Sequence, residues 1–435
     1  MAEKTADSPR ALDIPWLGNI QVSSARRAVL KLVGGTGLAQ MILLATTPIV
    51  TRIYTPGDFA ILGLFMSFLG VALVFATMKL DFGIISARTD EEADYLLFLS
   101  LALSVLVGVT SIVALYGLRR WGVIGFAQLP LYSVPLIGPS ITLTASFFSM
   151  RQWASRHTQF SALSRCIVGQ GAGRGFSQVG FGFLQFGWMG LVLAELVARF
   201  VANAMLIKNA WPTLVRVWRS FQIRRLRVVF RRNYRFPLFC VPSTLVDTVA
   251  MALTAPLLIA FFGMAIGGAY VLIHRVLSLP ISLFGRNVSD VFHQRLARCA
   301  HRGDGAALRL LDRTVLRLFL MSCIPIVLLF LFAESLVPLI LGPNWVDAGI
   351  IASAIAPWLL AQFVITPVSQ AASVYNSYHV KLIYDFTSLC SVVGSITICA
   401  AHTASYAVTI HVLAWTSALA YVLFYFLLRL IVKRA

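Results

Sequence analysis

Residues 96–116 read Leu-Leu-Phe-Leu-Ser-Leu-Ala-Leu-Ser-Val-Leu-Val-Gly-Val-Thr-Ser-Ile-Val-Ala-Leu-Tyr, with no charged side chain in the run. As a helix, such a run spans about 30 Å, the thickness of a bilayer's hydrocarbon core. A barrel strand would alternate apolar with polar residues, and this run does not. Lipid offers the backbone no hydrogen-bond partners, so the spanning elements are helices. Comparable runs recur along the chain. With Gly, Pro and charge as punctuation, they predict helices over 28–50, 58–79, 95–117, 122–149, 161–184 and 188–207, and, beyond a basic stretch, over 236–261, 265–285, 314–333, 348–372, 382–400 and 405–430.

Composition agrees with that reading. Of 435 residues, 58% are hydrophobic and only 12% charged, against about a quarter charged in soluble domains. Residues 1–27 hold no apolar core followed by a small-residue cleavage site and are expected to form a cytosolic arm. The six cysteines, Cys166, Cys240, Cys299, Cys323, Cys390 and Cys399, show no CxxC spacing, so neither a disulfide framework nor a metal site is expected.

The net charge of +19 is unevenly placed. Nine basic residues fall between Lys208 and Arg235 and seven between Arg286 and Arg317, whereas the expected outer loops hold only Arg52, Arg119 and Arg120. Short basic loops resist translocation, which predicts an even helix count with both termini in the cytosol. The resulting expectation is an all-α polytopic membrane protein of about 12 transmembrane helices. Its parts are a six-helix lobe over 28–207, a basic linker over 208–235, a second six-helix lobe over 236–430 and a cytosolic tail over 431–435. The linker interleaves Trp211, Trp218, Phe221, Phe230 and Tyr234 with its arginines. That mixture suits either a topology-setting connection or an amphipathic helix on anionic headgroups, and it argues for membrane lipids rather than nucleic acid as its partner.

Two halves of six helices suggest an internal duplication. Pro56-Gly57-Asp58-Phe59-Ala60 opens helix 2, and Gly267-Gly268-Ala269-Tyr270 opens helix 8 at the equivalent place. An even number of helices per half makes this a parallel pseudo-repeat about an axis along the membrane normal. The acidic start Asp90-Glu91-Glu92, with Thr89 three residues before Glu92, reads as a solvated, capped helix start. Six glycines between Gly169 and Gly182 lie inside an apolar helix with no preceding strand, and so read as a packing seam rather than a nucleotide loop.

Charged side chains inside the bilayer are costly and ask for a partner or a task. The candidates are Arg174 on helix 5, Glu195 and Arg199 on helix 6, Asp247 on helix 7, and Arg275 beside His274 on helix 8. Arg174 and Arg275 fall one in each half. Guanidinium groups bind phosphate oxygens bidentately, so these two, with Arg199, are candidates for an anion-binding cavity; the alternative is structural ion pairs or snorkelling. Glu195 and Arg199 are spaced i, i+4 and are expected to neutralise each other. Asp247 is either a proton or sodium coupling site or the counter-ion of Arg275. No hydrolytic constellation and no catalytic residue is identified.

The run Pro48-Ile49-Val50-Thr51-Arg52-Ile53-Tyr54-Thr55-Pro56-Gly57-Asp58-Phe59 resembles the first outer loop of the bacterial polysaccharide transporter family, the O-antigen and exopolysaccharide flippases. Leu341-Gly342-Pro343-Asn344-Trp345 followed by Ala348, Gly268-Ala269-Tyr270, Asp247 and Pro280 fit the same pattern. Ala60 departs from it, since the family commonly has glycine there. Membership would imply two lobes around a central cavity, alternating access in a bacterial inner membrane, and an undecaprenyl-pyrophosphate-linked oligosaccharide as substrate. It would also imply glycosyltransferases and a polysaccharide polymerase as partners, and no cofactor. A multidrug exporter of the same superfamily is the alternative within transport, and a membrane polymerase or ligase the alternative from the enzyme class.

Overall fold

The structure is a computed structural model that describes residues 24–220, 222–234, 236–300, 305–375 and 377–434. Most of the expected arm, residues 1–23, lies outside the described residues, as do Phe221 and Arg235 of the linker and Ala435 of the tail. All regular structure among the described residues is helical.

The first lobe is built from α1 (Ser24–Ile53), α2 (Pro56–Ala76), the short α3 (Leu80–Ser86), α4 (Asp90–Arg120), α5 (Val134–Arg156), α6 (Phe160–Phe183) and α7 (Trp188–Arg219). The amphipathic α8 (Ile223–Arg232) follows. The second lobe comprises α9 (Val241–Ala300), α10 (Ala306–Leu341), α11 (Val346–Ala354), α12 (Ala356–Ile365), α13 (Ala371–Val374), α14 (Tyr378–Ala401) and α15 (Tyr406–Arg434). Nine of the described helices are long and apolar enough to cross a membrane, ten if the pair bent by 51° between α11 and α12 is one span.

Two features separate this count from the expected twelve. The long α9 breaks at Gly263 (φ 86°, ψ 173°). There the chain turns back on itself, because a Cβ on Gly267 would stand 3.3 Å from the Cα of Ile259, eight residues earlier. Helices 7 and 8 of the sequence reading are the two arms of this hairpin. The other is α6, which has 24 residues but is diluted by glycine and is not among the helices apolar enough to cross.

Several boundaries differ from the sequence reading for local reasons. The predicted helix over 122–149 starts only at Val134, because Val123–Gln128 is a tight turn in which Ile124 and Gly125 take positive φ. The predicted helix over 348–372 is broken into α11, α12 and α13, with a 3-10 turn over Thr366–Gln370 that contains Pro367. Predicted helix 9, expected over 314–333, extends from Ala306 to Leu341, eight residues further at each end. The lobe boundary placed at 207 falls inside α7, which runs to Arg219.

The remaining linker, α8, leans on the start of α4. Arg225 pairs with Glu91, Arg232 stands 3.8 Å from Glu92, and Asn233 Nδ2 donates to Glu92 at 2.9 Å. Thr89 caps α4 as expected, accepting from the Glu92 amide at 3.2 Å. Glu92 itself is buried and partnered rather than solvated. The same end of the lobe is fixed by Arg156, which donates to the carbonyls of Ile84, Ile85 and Ala87, the last at 2.8 Å, and pairs with Asp90.

The glycine seam packs on α1. A Cβ on Gly171 would stand 2.7 Å from Ala39 Cβ, and one on Gly175 3.2 Å from Ile42. Between the lobes, α2 lies along α9. Gly63 faces Val271 and Gly70 faces Thr248, so both arms of the hairpin touch it. The two segments read as repeat equivalents meet there: a Cβ on Gly268 would overlap the carbonyl oxygen of Pro56 and stand 3.0 Å from the Ala60 amide nitrogen. Only glycine admits so close a backbone approach.

Candidate functional site

Both halves of the resemblance meet at the lobe interface, at the end opposite the basic segments. Thr55 and Asp58 form a reciprocal cap on α2, with the Thr55 amide donating to Asp58 at 2.9 Å. This sets the turn that carries Thr51, Tyr54 and Phe59. Trp345, fully buried, donates its indole N–H to the Thr51 carbonyl at 2.7 Å and packs edge-on against Phe59 with centroids 5.4 Å apart. Tyr54 donates its hydroxyl to the Gln178 carbonyl at 2.8 Å, tying the same turn to α6. The rim is therefore sealed by contacts from both lobes.

Beneath it lies a cavity of about 140 Å³, lined by Thr47, Phe59, Arg174, Gln178, Arg275 and Ser278 among others. Arg174 comes from α6 in the first lobe and Arg275 from the second arm of α9. Glu195, about two turns inside α7, joins them. Arg174 Nη2 is 2.7 Å from Oε2, and Arg275 Nη2 is 3.3 Å from Oε1. All three side chains are a quarter exposed or less. The structure thus brings together Arg174, Arg275 and Glu195, and the two lobes share one ion-paired node.

The other expected pairing is not formed. Arg199 is coupled to Glu195 only at longer range; its guanidinium lies over the rings of Phe147 and Phe148, at 5.4 and 5.8 Å. Helical spacing placed Arg199 on the Glu195 face, but α5 presents two aromatic rings to it while Arg174 and Arg275 take the carboxylate. Arg199 does not line the Arg174–Arg275 cavity.

Asp247 is not the counter-ion of Arg275, whose partner is Glu195. It lies on the first arm of α9, half-buried, within electrostatic range of Tyr384, Asp385 and Tyr421. Asp385 is fully buried, held by Lys381 at 2.9 Å through one oxygen, and its other oxygen has no partner. Tyr384 and Tyr421 stand with ring centroids 5.0 Å apart. Sequence reading passed over Asp385, because Lys381 four residues before it gives the look of a surface pair, and over Gln178, because an amide carries no charge to flag it. The half-buried His274 ring lies between Tyr270, stacked at 5.5 Å, and Trp358, tilted at 5.7 Å, packing the arm that carries Arg275 against α12.

The arrangement has two charged nodes, one between the lobes and one inside the second. Comparison with known proteins gives the context. Residues 49–349, more than two thirds of the chain, match the family described as Polysaccharide biosynthesis protein. No curated protein matches the sequence. Among solved structures, the inward-facing conformation of a multidrug resistance MATE family transporter of the MOP superfamily is similar, with a TM-score of 0.67, 16% identity, and coverage of 94% of this chain and 98% of that one. A MOP superfamily transporter from Pyrococcus furiosus, described as having a binding pocket of reverse polarity, gives a TM-score of 0.63 at 16% identity over 94% of this chain and 96% of that one. A Vibrio cholerae MATE transporter gives 0.58 at 14% identity over 94% and 95%. At such identities the likeness establishes the fold, a multi-pass transporter fold, and not the cargo. With the matched segment spanning α2, the rim and both arginines, the chain belongs to the family described as Polysaccharide biosynthesis protein.

Proposed function

We propose that this protein flips an undecaprenyl-pyrophosphate-linked oligosaccharide from the cytosolic to the outer leaflet of a bacterial inner membrane, by alternating access between its two lobes. The single observation that carries the reading is the meeting of Arg174 and Arg275, one from each lobe, in one largely buried cavity. A pyrophosphate must leave water to cross the bilayer, and paired guanidinium groups replace its lost hydration with bidentate hydrogen bonds. A site divided between lobes also binds differently when they part, which alternating access requires. Glycosyltransferases would supply such a substrate and a polymerase would consume it. Protons or sodium are the proposed coupling ions, with Asp247 and its neighbour Asp385 as the acceptors.

A drug exporter is the second reading, favoured by one feature, the Glu195 carboxylate, which suits an organic cation. Two arginines outweigh it. The deciding experiment is flipping of a fluorescent undecaprenyl-pyrophosphate oligosaccharide in proteoliposomes by wild type, Arg174→Ala and Arg275→Ala. Transport by wild type and its loss in both variants supports the cationic cavity. Transport unaffected by either change reduces the arginines to structural partners, and drug efflux without flipping moves the assignment to the exporter.

A further inference from the structure

Glu195 has no part in the scheme above, yet both lobes converge on it. Its two oxygens are taken by guanidinium groups from different lobes, at 2.7 and 3.3 Å, and its side chain is only 10% exposed. Two oxygens on one carbon, each facing a different arginine, repeat the way a phosphate group would be held. The match is incomplete in an informative way. Arg174 Nε and Gln178 Nε2, both on residues lining this cavity, are buried without a hydrogen-bond partner. A carboxylate has two oxygens to offer, and these donors are left over. A phosphate has more oxygens, arranged tetrahedrally, and can meet donors that the carboxylate leaves orphaned.

Charge gives the second part of the argument. Without an anion between them, Arg174 and Arg275 repel at close range in a largely dry site, and the lobes carrying them would be pushed apart. A transporter that has released its anion must still close around an empty cavity to return. Glu195 removes that obstacle, because it supplies the missing negative charge from within the protein.

We propose that Glu195 is an internal counter-anion: in the empty protein it occupies the position of the substrate's phosphate and latches the lobes together, and an incoming phosphate displaces it. The inference rests on the reading of Arg174 and Arg275 as ligands of a substrate anion. It makes Glu195 a residue that sets affinity and permits the unloaded return step. Substrate binding is then an exchange of one anion for another. The apparent affinity is lowered by the competition, which also keeps adventitious anions from holding the cavity.

Inorganic pyrophosphate is the probe, titrated calorimetrically into the full-length protein in nanodiscs. Glu195→Gln keeps the side chain's shape and removes its charge, and is expected to lower the half-saturating pyrophosphate concentration at least tenfold. Equal or weaker binding by Glu195→Gln overturns the counter-anion role while leaving the substrate reading intact; pyrophosphate binding to neither protein sinks both. A second measurement uses no change at Glu195. Spin labels at Phe186 and Val346, exposed positions at the outer ends of the two lobes, report the inter-lobe distance. Pyrophosphate is expected to shift that distance distribution, and binding that leaves it unchanged overturns the latch.

Discussion

The contact between Gly268 and the start of α2 gives the sharpest test of the lobe interface. In Gly268→Ala, the added Cβ overlaps the Pro56 carbonyl oxygen and stands 2.7 Å from its carbon and 3.0 Å from the Ala60 nitrogen. All three are backbone atoms, so no side-chain rotation relieves the clash; α2 and the second arm of α9 must separate. Overpacking typically costs about 1–3 kcal/mol, and the rigid neighbours place this site near 3. Alanine restores just under about 1 kcal/mol of helix propensity relative to glycine. The net of about 2 kcal/mol disfavours the sealed rim by roughly 30-fold, at about 1.4 kcal/mol per decade. Gly63→Ala is the control: its Cβ meets the side chain of Val271, which can rotate, and it is expected to cost under about 1.5 kcal/mol before the same propensity gain. Distances between labels at Phe186 and Val346 read the rim directly, and flipping rates read the consequence. A Gly268→Ala protein with a wild-type distance distribution would refute the assignment of this contact as the closing surface.

Trp345→Phe keeps the edge contact with Phe59 and removes the hydrogen bond to the Thr51 carbonyl; it is expected to destabilise the closed rim by about 1–2 kcal/mol, seen as a wider label distance. Arg156→Ala strips the carbonyls of Ile84, Ile85 and Ala87 of their donor, with an expected loss of roughly 2–3 kcal/mol of thermal stability. In that variant the flipping rate per folded molecule should stay normal, and Arg156→Lys should recover only part of the stability because a point charge does not replace the fork. Asp247→Asn is expected to abolish the dependence of flipping on a proton or sodium gradient, and full retention of that dependence would remove Asp247 from coupling.

Residence in the membrane and the helical class were legible in the sequence because each depends on one segment at a time. An apolar run such as 96–116 is committed to lipid whatever its neighbours do. The cap at Thr89 was legible for the same reason, being closed by a residue three positions away. Arg174, Arg275 and Glu195 stood out because a charge in an apolar run announces its own cost. Their pairing was decided only by tertiary structure. The i, i+4 rule offered Arg199 to Glu195, but α5 holds Arg199 over Phe147 and Phe148, while α6 and α9 bring arginines 21 and 80 residues away onto the carboxylate. Glu92, read as solvated, is buried because α8 folds onto it. The hairpin at Gly263 brings Gly268 against Pro56, a contact between segments some 200 residues apart. Sequence fixes the cost of burying each charged group, and only the packed helices determine which opposite charge offsets it.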